Sequence, residues 1–183
     1  MASVPSGIKR VLIDAGELSR RVAALGGEIS RQYRDRTPVL VGVLRGSVVF
    51  LADLIRAMDI PVECDFIAVA SYGTSSRSSG IVKLTADLSA SIEDRDVLIV
   101  EDIVDTGRTL AYLRRNLETR RPRSLRVCTL LDKVARREVP VELDYVGFTI
   151  PDEFVVGYGL DYAGLYRNLP YLGVLNVGDS PQA

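Results

Sequence analysis

"VLIVEDIVDTGRTL", Val97 to Leu110, decides how this chain is read. Four apolar residues run into Glu101 and Asp102. Two more apolar residues follow, then Asp105, Thr106, Gly107, Arg108 and Thr109. Buried acids cost free energy unless something pairs with them. In open α/β sheets, ligands bind beyond the carboxyl ends of the strands. Glu101 and Asp102 are expected at such an end. The turn that follows opens a helix with Leu110, Leu113 and Leu117 on one face. The first N–H groups of a helix lack partners, and its dipole favours an anion there. Small and hydroxyl-bearing residues allow close backbone approach. The stretch therefore reads as a phosphate site with acids beside it for hydroxyls or a metal. The plainer reading, that Asp105 or Thr106 only caps the helix, leaves Glu101 and Asp102 without a purpose.

Two common phosphate motifs are excluded. A Walker A loop needs glycine where Asp102 stands and lysine where Arg108 stands. "GYGLDYAG" (Gly157 to Gly164) lacks the third glycine of a dinucleotide fingerprint.

Outward from this stretch, apolar runs and amphipathic segments alternate. "PVLVGVL", "VECDFIAVAS", "IVKLTADL", "DVLIVED" and "SLRVCTLL" read as strands. Leu18, Val22, Leu25, Ile29 and Tyr33 mark a helix, with Asp14 or Ser19 near its start. "SVVFLADLIRAM" reads as a second helix. "YVGFTI", "FVVGYGL" and "YLGVLNV" are shorter strand-like pieces. "YGTSSRSSG" (Tyr72 to Gly80) reads as a loop. The pattern predicts an α/β fold with a parallel sheet covered by helices on both faces.

The chain has 183 residues and a net charge of −1 from 23 basic and 24 acidic residues. That balance gives no global field for nucleic acid or an anionic membrane. With no histidine, proton chemistry falls to Asp, Glu, Lys or Tyr. The two cysteines, Cys64 and Cys128, sit in apolar segments and are expected as buried thiols of a reducing compartment. No apolar run is long enough to span a bilayer, and "MASVPSGIKR" lacks a signal-peptide core. The expected location is the cytoplasm.

"VLIVEDIVDTGRTL" closely resembles the motif by which type I phosphoribosyltransferases bind 5-phosphoribosyl diphosphate (PRPP). Its Glu-Asp pair and the Asp before Thr-Gly resemble the hypoxanthine-guanine branch. "VLRGS" (Val43 to Ser47) is similar to that branch's diphosphate loop and "SYG" (Ser71 to Gly73) to the start of its mobile loop. "LLDK" (Leu130 to Lys133) is similar to its purine-contacting lysine segment. Val146 to Leu175 resembles its purine-binding region. Five motifs occur in order. The resemblance implies one domain over 1–183, with a core of roughly residues 10–150 and a small hood from both terminal segments.

The resemblance also implies roles. Glu101 and Asp102 would accept from the ribose hydroxyls, and Asp105 to Thr109 would wrap the 5-phosphate. The family often has Lys at Arg108, which matters little for a backbone contact. Asp105 would exchange the N7 proton of the purine. Lys133 would donate to O6, Phe154 would stack on the base, and the Val155 backbone would accept from N1–H. The residue pattern alone reads Phe154 as core. Leu44, Arg45 and Gly46, with a cis Leu44–Arg45 bond, and Arg167 would hold the diphosphate. Asp161, with Glu101 and Asp102, would serve Mg²⁺. Ser71 and Tyr72 would begin a loop that closes over the site to exclude water. The implied reaction is purine salvage from PRPP and hypoxanthine or guanine, by a homodimer or homotetramer. A xanthine-preferring relative and a non-catalytic nucleotide-binding regulator are the alternatives. A signalling receiver domain does not fit: "RVLID" supplies only Asp14, and the Lys133 segment lacks the proline usual after that lysine.

Overall fold

The computed structural model describes residues 7–72 and 81–176, with the backbone alone at 71, 72, 81 and 82. Six strands form the main sheet: β2 (Val39–Leu44), β3 (Glu63–Tyr72), β4 (Ile81–Ala86), β5 (Asp96–Val104), β6 (Ser124–Asp132) and β7 (Tyr145–Thr149). Their order is β4-β3-β2-β5-β6-β7. All neighbours are parallel except β3 and β4. From β2 the chain steps outward through β3 and β4, then returns to β5 and steps the other way. The point where the order reverses lies between β2 and β5, where an open α/β sheet binds its ligand.

Alternation along β5 explains why both faces need helices. Leu98 and Val100 join one apolar cluster with α1 (Ala15–Gln32) and α2 (Val48–Arg56). Val97 and Ile99 join another with α3 (Arg108–Glu118), through Leu110, Leu113 and Leu117. All four β5 side chains are fully buried, and each contributes about 1.5–3 kcal/mol by leaving water. The α1 helix starts as its sequence indicates. The carboxylate of Asp14 accepts from the Glu17 N–H at 2.8 Å, satisfying one orphan donor of the first turn. Leu18, Val22, Leu25 and Ile29 then face the sheet.

A second, three-stranded sheet is built from both ends of the described chain. Its order is β1 (Ile8–Ile13), β9 (Leu172–Leu175), β8 (Val155–Val156), all antiparallel. Val155, Leu172 and Val174 share the core of α1 and α2, so this sheet is anchored on that face. It brings Phe154 and Val155 over the end of β6.

Two expectations are corrected here. Strand β3 runs through Ser71 and Tyr72, whose backbones pair with Val82 and Ile81. The expected closing loop therefore starts no earlier than residue 73, and residues 73–80 lie outside the described residues. Cys64 is exposed, whereas Cys128 is buried. The reason is pairing: β4 joins β3 only from Ala68 onward, so the first half of β3, with Cys64, is a sheet edge. Among the described residues no helix is long and apolar enough to cross a membrane.

Candidate active site

Strand β5 is longer than its apolar run indicates. It pairs with β2 only as far as Val100, but with β6 as far as Val104. Meanwhile β2 stays with β3 to Leu44. The sheet thus parts between Leu44 and Glu101, and Glu101 and Asp102 face the opening while still in a strand. The expectation that they fall at the strand's end is corrected: Glu101 lies three residues, and Asp102 two, before its last residue, Val104.

Burial sets their charge. Glu101 is 5% exposed. Desolvation holds its pKa well above the ordinary value, and the neighbouring Asp102 charge raises it further. Asp102 is pushed up to about 6, chiefly by desolvation. The N–H of Ile103 donates to its Oδ1 at 2.9 Å and pulls the other way. Arg167 lowers and Asp161 raises it more weakly. The Asp102 charge, once formed, makes ionising Glu101 harder.

Three adjoining cavities surround these acids. The first, about 90 Å³, is lined by Glu101, the turn Asp105 to Gly107, and Thr109. Gly107 precedes α3 with φ +83°, and no side chain caps that helix. Thr106 Oγ1 reaches only the Arg108 N–H, at a long 3.4 Å. The simple capping reading of Asp105 and Thr106 does not hold, and the helix start stays open to a ligand. A Cβ on Gly107 would lie 2.5 Å from the Val139 carbonyl, so both the turn and the close approach require glycine.

The second cavity, about 260 Å³, is lined by Asp105, Lys133, Phe154, Val155 and Asp161, among others. Lys133 is buried, and its Nζ donates to the Glu153 carbonyl at 2.9 Å with Asp152 at 3.8 Å. Phe154 is 44% exposed. Its ring meets that of Tyr162 edge-on at 5.5 Å. The core reading of Phe154 is thereby corrected: β8 begins just after it and leaves the ring facing the cavity. Asp105 Oδ1 is buried with no hydrogen-bond partner, and its nearest cation is Arg136 Nε at 3.5 Å.

The third cavity, about 290 Å³, joins Leu44, Arg45 and Gly46 to Asp102, Asp161 and Arg167. The Leu44–Arg45 peptide is cis. Gly46 lies so close to β5 that a Cβ there would be 1.5 Å from Asp102 Oδ2. Arg167 donates to the Gly159 carbonyl at 2.5 Å and pairs with Asp161 at 2.6 Å. Asp161 also accepts from the Gly164 N–H at 2.8 Å.

The structure thus gathers the residues singled out in the sequence, from Leu44 to Arg167, around one crevice, Ser71, Tyr72 and Arg108 aside; Arg108 lines none of the three cavities, and its side chain pairs with Glu138 at 2.6 Å. Three contacts were missed. Arg136 and Tyr162 touch Asp105 and Phe154, and Arg137 grips the turn from behind. Arginines and tyrosines in polar loops carry no periodic signal. A larger cavity, about 480 Å³, lies away from the crevice near the end of α1, lined by Arg31, Arg34 and Arg36 together with Asp35 and Asp59. Size alone does not locate this site.

An open sheet with a phosphate-sized turn at its switch point, acids beside it and a pocket with an aromatic ring beyond it defines a class of α/β protein able to hold a phosphate and a base side by side. The chain matches the phosphoribosyl transferase domain family over residues 12–163. It is 52% identical over 178 residues to the hypoxanthine-guanine phosphoribosyltransferase of Mycobacterium avium, covering 94% of this chain and 88% of that one. To the Bacillus subtilis enzyme of the same name it is 51% identical over 168 residues, covering 92% and 93%. A hypoxanthine phosphoribosyltransferase crystal structure from Staphylococcus aureus superposes with a TM-score of 0.91 at 44% identity, covering 96% of each chain. The chain also matches the bifunctional TilS/HprT protein of Listeria innocua at 52% identity, where it spans 27% of the length. The chain belongs to the hypoxanthine-guanine branch of the phosphoribosyltransferase family.

Proposed function

We infer that the protein transfers the 5-phosphoribosyl group of PRPP to N9 of hypoxanthine or guanine, releasing diphosphate and giving IMP or GMP. One observation carries this reading. The turn Asp105 to Thr109 stands between a phosphate-sized cavity and a base-sized one, with two buried acids at their junction.

In this reading the turn's N–H groups and the hydroxyls of Thr106 and Thr109 hold the 5-phosphate at the start of α3. Glu101 and Asp102 accept from the ribose hydroxyls, and the bond to ionised Asp102 is of the stronger, charge-assisted kind. Arg45, Arg167 and the Leu44–Gly46 backbone receive the diphosphate. Lys133 donates to purine O6, Val155 accepts at N1–H, and Phe154 stacks. Adenine reverses both polar contacts, and sites built on such pairing reject the mismatch by roughly 10⁴-fold. Asp105, which lines both the phosphate-sized and the base-sized cavity, exchanges the N7 proton in a chain without histidine.

Magnesium fits the residues present. Asp102 and Asp161 line the third cavity, and they are the hard oxygen donors Mg²⁺ uses one or two at a time beside substrate oxygens and water. Glu101 stands next to them. Among the described residues no three acidic or cysteine side chains form a metal cluster by themselves. Bound there, Mg²⁺ neutralises charge on the leaving group. Mixing the folded protein with PRPP, Mg²⁺ and each purine tests the reading. IMP and GMP form, AMP does not, and absence of both 6-oxopurine nucleotides refutes it.

A further inference from the structure

Lys133 to Val139 pass along the back of the Asp105–Thr109 turn, and this segment takes every carbonyl at the turn's start. The Val104 carbonyl accepts from the Lys133 N–H at 3.0 Å and from Arg137 Nη2 at 3.4 Å. Arg137 Nε donates to the Asp105 carbonyl at 3.1 Å. The Thr106 carbonyl accepts from the N–H groups of Glu138 and Val139, both at 3.0 Å. Arg137 is itself held by the Asp132 carboxylate, and both side chains are mostly buried. Glu138 pairs outward with Arg108 at 2.6 Å.

Peptide geometry gives this arrangement a consequence. In a trans peptide the C=O and the next N–H point in opposite directions. Leu44–Arg45 is the cis bond among the described residues, so the peptides of this turn are trans. Fixing the carbonyls of Val104, Asp105 and Thr106 backward turns the N–H groups of Asp105, Thr106 and Gly107 forward, away from the brace. Among the described residues none of these three N–H groups donates to a protein acceptor. They are preorganised donors, and preorganisation removes reorganisation cost from binding.

We propose that Arg137 is a positioning residue that aims the phosphate-binding amides, and that the Lys133–Val139 segment ties the phosphate turn to the base-contacting lysine. This rests on the reading of the turn as the 5-phosphate site. A guanidinium suits the task because its planar fork serves two carbonyls and a carboxylate at once. Lysine cannot reproduce that fork.

The test compares nucleotide with nucleoside. IMP uses the phosphate turn and inosine does not. For Arg137→Gln and Arg137→Lys, the KM for PRPP and the Kd for IMP rise roughly tenfold, the scale of one lost charge-assisted bond, while the Kd for inosine is unchanged. An equal fall in inosine and IMP affinity marks a general loss of structure and overturns the proposal, as does an unchanged IMP Kd. Should Arg137→Gln not fold, Asp132→Asn, which frees the fork, is read the same way. Wild-type protein that neither binds IMP nor forms it from PRPP and hypoxanthine refutes the reading of the site. Wild-type activity with an unaltered IMP-to-inosine ratio in the variants refutes only the role of Arg137.

Discussion

Asp102→Asn should make the ligand-free protein more stable and less active, and the gain should depend on pH. The magnitude follows from burial. The Asp102 carboxyl moves from its ordinary 3.8 to about 6 on folding. At about 1.4 kcal/mol per pH unit, keeping it ionised in the fold costs about 3 kcal/mol above that range. The sign is set by which state holds more protons. Between 3.8 and about 6 the folded protein binds more protons than the unfolded chain, so wild-type stability falls as pH rises through this window. Below it the penalty is absent, and above it the penalty is complete. Asparagine cannot ionise, yet its Oδ1 still accepts from the Ile103 N–H. At pH 8 the variant should gain up to about 3 kcal/mol, or a Tm higher by roughly 6–12 °C for a chain of this size. At pH 4 the two proteins should melt together. Thermal melts across that range are the assay, with turnover measured at pH 8. A Tm gain that does not change with pH, or none at pH 8, refutes the argument that Asp102 is held charged against its burial. Unchanged turnover removes Asp102 from the ribose contact.

Asp105→Asn keeps the size of the turn but loses the proton acceptor, so kcat should fall by about 10²–10⁴ while PRPP still binds, as read by single-turnover kinetics and PRPP titration. Gly46→Ala places a Cβ 1.5 Å from Asp102 Oδ2; either the loop or the acid must move, and kcat/KM should drop by about 10², with wild-type efficiency counting against the close approach. Lys133→Gln should raise the KM for hypoxanthine by roughly 10–100-fold, the value of a hydrogen bond from a charged donor, and leave the KM for PRPP nearly unchanged. An equal rise in both would show that Lys133 acts through the turn and not on the base.

What was legible in the sequence obeys local rules. Leu110, Leu113 and Leu117 recur at helical spacing and pack on β5. Asp14 stands before an amphipathic run and caps it. The acids after "VLIV" lie at the opening of the sheet because a buried parallel strand must end its apolar run where ligand or water begins. Illegible features depend on partners far away in the chain. Strand β5 outruns its apolar segment because β6 continues beside it after β2 has turned away. Cys64 looks internal until β4 is seen to reach only the second half of β3. Gly46 needs its missing side chain because of Asp102, 56 positions later, and no pattern near "LRGS" reveals this. The same separation explains Arg137. Its neighbours in sequence read as an ordinary polar loop, yet its donors meet Val104 and Asp105 more than thirty residues earlier. A phosphate turn advertises itself through glycine and threonine, which face the ligand. The groups that aim its amides face the other way, and they are constrained only in having donors for three carbonyls. Such a brace needs no particular motif, so only the folded geometry exposes it.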